Sequence, residues 1–249
     1  MTAYTVTGTT TNNTVTGGLL KVYVLDAAAL AGSPAVGSST AAYNCSVSTT
    51  ADGSYVFGIA NNQIASTSFT AESNCTISDQ ATINSGGAQA AAFHTTSGTT
   101  GTPGPTTVGS STTFAGAIGV TAMEILASGG SLSIDSSSPA VVDSETATSF
   151  TTASFSPPGS NILVAVLVAC GNGSANVCVA TVSSTPALTW TEQVKVSSTV
   201  DALNSYTGVW TAVVPARDTS GPPLGLQALV QPPVVAVSGS GWRNAAHSR

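Results

Sequence analysis

Short runs of β-branched and apolar residues, separated every few positions by glycine, serine, threonine or asparagine, fill most of this 249-residue sequence. Such runs are typical of strands, because branched side chains fit a pleated sheet and small polar residues form the turns between strands. Almost no segment shows helical spacing, and the alanine run at 27–31 is short enough to be a loop or a single turn. Many short strands without intervening helices predict an all-β protein built from antiparallel sandwiches.

The clearest predicted strands occur in both halves of the chain, and several alternate in polarity. In the segment Leu19–Leu25, alternation places Leu20, Val22 and Val24 on one face of the strand and Lys21, Tyr23 and Leu25 on the other. The predicted strands are residues 19–25, 54–59, 112–114, 120–126, 162–169, 177–182, 188–196 and 206–214.

Two stretches of the sequence resemble each other, and a small, polar segment lies between them. Residues 17–25 (GGLLKVYVL) and 159–168 (GSNILVAVLV) each lead a strand out of a glycine turn, which is a weak internal repeat. Near the C-terminus, two Pro-Pro pairs and a polar end show no strand rhythm. We therefore predict two tandem antiparallel, jelly-roll-like β-sandwich domains, a linker and an irregular tail. The predicted boundaries are 1–127 for the first sandwich, 128–140 for the linker, 141–218 for the second sandwich and 219–249 for the tail.

Charged residues make up only 6% of the chain, against a usual share of about 25%. The chain has five Lys and Arg residues and eleven Asp and Glu residues, which gives a net charge of −6. There are therefore too few cations to neutralise nucleic-acid phosphates. Serine and threonine together account for 72 residues, and their hydroxyls keep the outer faces of strands hydrated without charge. Uncharged β surfaces of this kind suit packing against other proteins or glycans.

The N-terminal sequence lacks the basic and apolar regions of a secretory signal peptide. The longest apolar run, Ile162–Cys170, has nine residues, whereas a bilayer-spanning helix needs about 20. The sequence predicts a soluble protein that does not insert into membranes. An extracellular destination would need cell lysis or a specialised secretion machine.

The four cysteines, Cys45, Cys75, Cys170 and Cys178, include no CxxC pair, which gives a zinc or redox motif little support. Cys170 and Cys178 bracket a turn-rich loop between two strand-like runs, and a disulfide can form there if the thiols face each other across the hairpin. Cys45 and Cys75 can pair across a longer loop. The alternative is four buried free thiols, and the sequence leaves both open.

Catalytic groups are sparse, and no motif organises them. His94 lies in a Thr/Ser-rich loop, His247 stands two residues from the C-terminus, and no GxSxG elbow accompanies either. The Asp52-Gly53 pair is a turn signal before the strand that starts at Ser54. Asp143 and Glu145 could bind a cation, but a solvated loop is the better interpretation. The sequence predicts no enzyme activity, no cofactor and no metal.

Trp190 and Trp210 lie in two neighbouring predicted strands of the second half. Tryptophan in such strands usually packs one sheet onto the other. The alternative is that one or both rings stack on a glycan from an exposed face. The third tryptophan, Trp242, lies in the predicted tail and has no assigned role.

The succession of residues 155–168 (FSPPGSNILVAVLV), 188–191 (LTWT) and 206–215 (YTGVWTAVVP) resembles a module in structural proteins of tailed bacteriophages and prophages, especially of actinobacteria. In that module, F-x-P-P-x-G-x-x-L-V-A precedes L-T-W-T and a strand like G-x-W-x-A-x-V-P. The first half is also similar to a domain of these proteins. The residues that carry this second similarity are 17–25, 54–58, 108–110 and 124–125.

The resemblance implies a non-enzymatic virion structural protein, a tail-type component that contacts other virion proteins or further copies of itself. In the proteins it resembles, alternating strands continue after VVPA, whereas here RDTSGPPLGLQALVQPP follows. The resemblance therefore implies an incomplete second sandwich with an unpaired edge. The alternative function is a carbohydrate-binding or adhesin-type module that recognises a host-surface glycan. A hydrolase with paired carboxylates is the least favoured interpretation.

Overall fold

The computed structural model of the chain describes eleven segments. They are residues 2–10, 17–30, 35–63, 68–83, 87–96, 103–112, 118–128, 131–159, 162–172, 178–200 and 203–215. The predicted tail at 219–249, with Trp242 and His247, lies outside them. So do residues 113–114 of one predicted strand.

The described residues form strands and no helix, which confirms the all-β prediction. Every strand pairing among them is antiparallel. The strands are β1 Thr5–Thr10, β2 Gly18–Asp26, β3 Ala28–Ala29, β4 Val36–Ser39, β5 Asn44–Ser48, β6 Tyr55–Asn62, β7 Cys75–Thr82, β8 Gln89–Thr95, β9 Pro105–Gly109, β10 Ile118–Ala127, β11 Ser133–Ile134, β12 Val142–Ser144, β13 Ser149–Thr151, β14 Leu163–Asn172, β15 Ala180–Thr185, β16 Thr191–Val200 and β17 Leu203–Val213.

These strands form four sheets. Sheet I has three strands in the order β13-β1-β15. Sheet II has the order β11-β2-β14-β17-β16, with β12 also paired to β2. Sheet III has the order β3-β10-β6-β8-β7, with β4 also paired to β10, and sheet IV is the pair β5-β9. The unequal sheets differ from the jelly-roll pattern of two four-stranded sheets.

The four sheets stack in the order I, II, III, IV, with an apolar core between each neighbouring pair. The first core packs Val6 and Phe150 of sheet I against Val22 and Val166 of sheet II. The second core lies between sheets II and III and includes Leu19, Tyr23 and Leu167 of sheet II with Phe57 and Met123 of sheet III. The third packs Phe93 and Val120 of sheet III against Cys45, Val47 and Val108 of sheet IV. Sheets II and III are therefore buried on both faces.

Strand β2 shows how sequence produces this burial. Leu20, Val22 and Val24 face the first core, as the alternation predicts. The opposite face of β2 contributes to the second core, and Lys21, which lies on that face, reaches the edge of sheet III. Its Nζ lies 2.7 Å from an Asp79 carboxylate oxygen, and the side chains are only 13% and 22% exposed. A charge in this apolar layer is tolerated because it is paired.

The chain order of the sheets corrects the predicted domain organisation. Sheets III and IV use only β3–β10, residues 28–127, whereas sheets I and II combine β1 and β2 with β11–β17. The sandwich of sheets III and IV is therefore inserted between β2 and β11 of the other sandwich. The chain from Met1 to Ala216 forms one compact unit, not two tandem sandwiches divided near residues 128–140.

Two further expectations change for the same reason. Residues 128–140 are not simply a linker, because β11 within them pairs with the end of β2. The sandwich predicted at 141–218 is not incomplete, because two strands from the start of the chain complete it. Strand β2 pairs with β14 from Leu25↔Leu163 to Gly18↔Cys170, and β1 lies between β13 and β15. The two repeat-like stretches are thus direct neighbours in sheet II.

Part of the alanine run at 27–31 forms a short strand and not the expected loop or single turn. Ala28 and Ala29 pair with β10, after a turn in which Ala27 has a φ of 52°. The predicted turn at Asp52-Gly53 precedes β6, and Gly53 has a φ of 71°, a value that favours glycine. No helix long and apolar enough to cross a bilayer occurs in the described part of the chain.

Candidate functional site

The two tryptophans proposed for glycan stacking lie against the first core. Trp210 is 5% exposed, and its ring centroid is 6.1 Å from that of Tyr206. Trp190 is half-buried against the same core, and its Nε1 donates to Ser184 Oγ at 3.2 Å. Trp210 is therefore a packing residue, as the favoured interpretation expects, and not the exposed stacking ring of the alternative. Trp190 also packs, and only part of its ring meets solvent.

The cysteines follow different patterns in the two sandwiches. Cys170 and Cys178 form a disulfide, with a Cα–Cα distance of 6.4 Å, across the end of β14. Cys45 and Cys75 are buried free thiols in the third core, so the pairing considered for them is absent. Burial raises the pKa of the Cys45 thiol to about 12, and the nearby Cys75 adds to the effect. Such a thiol stays protonated and is a poor nucleophile at neutral pH.

The described carboxylates and His94 lie in separate places and form no metal-binding cluster. No cluster of three or more His, Cys, Asp or Glu side chains suited to a metal ion occurs among the described residues. Asp143 and Glu145 are exposed, as expected for a solvated segment. Glu124 is 1% exposed on β10, but its carboxylate accepts hydrogen bonds from the turn before β6. These hydrogen bonds stabilise the turn before β6.

Tyr206 on β17 and Glu192 on β16 form a hydrogen-bonded pair. The Tyr206 hydroxyl donates to Glu192 Oε1 at 2.9 Å, and Lys195 Nζ lies 2.8 Å from the other carboxylate oxygen. Burial is the largest cause that raises the pKa of Tyr206, followed by this hydrogen bond and the negative charge of Glu192. The tyrosine therefore stays protonated and acts as a hydrogen-bond donor that fixes the edge strand β16 against β17.

The outward side of sheet I carries a regular array of hydroxyl side chains, which we call the hydroxyl face. Its members alternate with the inward residues of their strands. In register, Thr7 lies between Thr151 and Ser183, and Thr9 lies between Ser149 and Thr181. The face consists of Thr5, Thr7, Thr9, Ser149, Thr151, Thr181, Ser183 and Thr185.

The hydroxyl face is accessible and uncharged. Thr5 and Thr7 are half-buried, and the other six side chains are exposed. Thr7 Oγ1 and Thr151 Oγ1 lie 2.9 Å apart, so one hydroxyl donates to the other across the strands. The three strands of sheet I contain no Asp, Glu, Lys or Arg. The face is also well supported, because β1 is hydrogen-bonded along both edges and its inward side packs on the first core.

Sequence reasoning missed this face because it did not assign β1. The segment Thr5–Thr10 (TVTGTT) has only one large apolar side chain, Val6, so its composition is that of a polar stretch before β2. Two signals were present: alternating threonines in β1 and the matching pattern ATVSST in β15. Neither shows that the two strands pair.

Comparison of this chain with protein-family models, with curated proteins and with solved structures finds no match.

Proposed function

We propose that this protein is a non-enzymatic virion structural protein, a phage tail component that assembles through uncharged β surfaces. The observation that carries the proposal is the hydroxyl face of sheet I. The sequence resemblance of residues 155–215 to tail-type proteins supplies the biological setting.

The chemistry of the hydroxyl face favours protein contact. An ion that becomes buried loses strongly bound water and needs a partner of opposite charge. A threonine hydroxyl, in contrast, can exchange a water for a hydrogen bond to a neighbouring backbone group or hydroxyl. The γ-methyl groups of the same threonines add apolar area. An assembly surface with these properties favours an uncharged partner, and its contacts depend little on salt.

The rigidity of the face supports the same proposal. Its strands are tied together by the register from Thr5↔Thr185 to Thr10↔Ala180 on one edge of β1 and by β13 on the other. Side chains on a preordered sheet lose little further backbone entropy when a partner binds. The flanking strands β13 and β15 each leave one edge outside the pairing of sheet I, and an edge can accept a strand from a partner.

The first experiment asks whether the protein is part of a virion. Particles would be prepared from the organism that encodes the chain and examined by mass spectrometry and immunogold electron microscopy. We expect peptides of this chain in purified particles and gold label on the tail. Label confined to the cell fraction, with none on particles, would refute the proposed function.

A second experiment asks whether the hydroxyl face makes the contact. The variant Thr7→Lys places a charge at the centre of the face, and Thr107→Lys places one on an exposed position of sheet IV as a matched control. Incorporation into particles should fall for the first variant and stay at the wild-type level for the second. Equal incorporation of both variants would exclude the hydroxyl face as the assembly surface.

A further inference from the structure

A cavity of about 170 Å³ opens where the second core ends, between the inner face of sheet III and strand β11 of sheet II. The sheet III wall consists of Tyr55, Phe57 and His94. The opposite wall is formed by residues 132–134. We call this cavity the ring pocket. Clefts between packed sandwiches are common places for small-molecule sites.

The rings of the pocket form a continuous aromatic wall. The Tyr55 and Phe57 rings are stacked with centroids 6.0 Å apart and planes inclined by 29°. The imidazole of His94 continues the wall, with its centroid 5.8 Å from Phe57 and 6.4 Å from Tyr55. Phe57 is fully buried and fixes the wall, while Tyr55 and His94 are half-buried and reach the opening. Aromatic faces of this kind attract the C–H groups on one face of a ring-shaped ligand.

The hydrogen bond of His94 defines what the pocket can offer to a ligand. His94 Nδ1 lies 2.7 Å from the carbonyl oxygen of Thr95. Because a carbonyl can only accept, Nδ1 must carry the proton of this bond. In the neutral ring, Nε2 is then an acceptor, and it makes no hydrogen bond to a described residue. A ligand hydroxyl is a suitable donor to Nε2.

The remaining polar groups of the pocket are neutral hydroxyls. Tyr55 carries a phenol, and Thr96 and Ser133 lie exposed at the opening. No Asp, Glu, Lys or Arg is among the described residues that line the cavity. Two described carboxylates lie beside the lining residues, since Asp26 is the cross-strand partner of Ser133 and Asp135 follows Ile134, but neither lines the cavity. The described lining itself therefore has no Lys, Arg or carboxylate to pair with an ionic ligand.

We propose that the ring pocket binds one neutral pyranose unit of a glycan, with the sugar ring against Tyr55 and a sugar hydroxyl donating to His94 Nε2. The cavity is below the range of about 300–1,000 Å³ typical of drug-sized ligands, which suits a single sugar ring. The site uses none of the tryptophans, and it lies apart from the hydroxyl face, since sheet II separates sheet I from sheet III. This binding activity therefore goes beyond assembly, and either one can fail without the other.

The test uses saturation-transfer difference NMR on the full chain with the methyl glycosides of glucose, galactose, mannose, N-acetylglucosamine and rhamnose. We expect at least one to receive saturation, and backbone amide shifts on binding to centre on Tyr55, His94 and Ser133. The variant Tyr55→Ala should weaken binding at least tenfold, whereas Tyr55→Phe, which keeps the ring, should stay within threefold of wild type. Leu188→Ala, in a different cavity, is the matched control and should bind as wild type.

Three results would overturn the proposal. These are no saturation of any neutral sugar, amide shifts centred away from the ring pocket, and binding of indole or phenol without binding of any sugar. If Tyr55→Ala fails to fold, as judged by its amide spectrum, the amide shifts of the wild-type protein and the variant His94→Ala decide. His94→Ala should weaken sugar binding at least fivefold, and unchanged binding would contradict the role given to Nε2.

Discussion

Replacing Glu124 by alanine tests how a nearly uncharged protein tolerates a buried carboxylate. Glu124 is 1% exposed in sheet III, and no cation pairs with it among the described residues. Its oxygens instead accept from the Thr50 amide at 2.8 Å, the Thr50 hydroxyl at 2.8 Å, the Ala51 amide at 3.3 Å and the Ser54 hydroxyl at 2.7 Å. These donors come from the turn that leads into β6.

The expected loss follows from these four contacts. Hydrogen bonds to a charged group contribute about 1.5–3 kcal/mol each, so the upper limit for the set is large. Thr50 is exposed, however, and its donors can turn to water, while the Ser54 hydroxyl can turn to the Ala51 carbonyl at 2.9 Å. The cavity left by the side chain adds a further cost. We expect Glu124→Ala to lower the free energy of unfolding by about 2–4 kcal/mol.

The assay is urea unfolding followed by circular dichroism. Glu145→Ala removes an exposed carboxylate and should change the free energy of unfolding by less than about 0.5 kcal/mol. Glu124→Gln turns an amide N–H₂ toward donors, but it keeps one acceptor oxygen and leaves no cavity. Its loss of unfolding free energy should therefore be smaller than that of Glu124→Ala. A loss below about 1 kcal/mol for Glu124→Ala, or one equal to that of Glu145→Ala, would refute the reasoning.

Three further predictions concern covalent, thiol and ionic contacts. Replacing both Cys170 and Cys178 by serine should lower the free energy of unfolding by about 2.5 kcal/mol, because their separation of 8 residues closes a short loop; reduction of the wild-type protein should have the same effect, and an unchanged melting temperature would contradict it. Burial raises the pKa of Cys45 to about 12, so unfolded thiols ionise first and stability should fall as the pH rises from about 9 toward 12; Cys45→Ala should flatten this decline, and an equal slope would contradict the assignment. In a double-mutant cycle, Lys21→Met and Asp79→Asn should show a coupling of about 1–3 kcal/mol, because the pair is largely buried; additive losses would show that the pair does not act as a unit.

The sequence is sufficient to predict the strand content and several individual strands. Alternating polarity correctly assigns the two faces of β2, and the spacing of Cys170 and Cys178 around a turn matches the observed disulfide. These features succeed because each depends on residues close together in the chain.

The inserted arrangement could not be predicted in the same way. Strand β2 pairs with β14, and β1 pairs with β15, across a stretch that contains the whole inserted sandwich of sheets III and IV. Alternation tells which side of a strand is buried, but it does not tell which strand lies beside it. The short, polar sequence around β11 also resembled a linker, although β11 pairs with β2.

The candidate sites depend on the same long-range pairing. The hydroxyl face exists only when β1 lies between β13 and β15, and the ring pocket only when β11 covers the end of the second core. The sequence around His94 predicts a polar loop, whereas His94 lies on β8 against Phe57 and Tyr55. Its partners come from another strand, which the local sequence does not identify.

A cryo-electron microscopy map of the virion tail would test the central claim most directly, because it shows both the pairing of sheet I and what covers it. The account predicts β1 between β13 and β15, with Thr7 and Ser183 buried against a neighbouring subunit. A map in which these residues face solvent in every copy, or in which β1 pairs with a strand of the inserted sandwich, would contradict it.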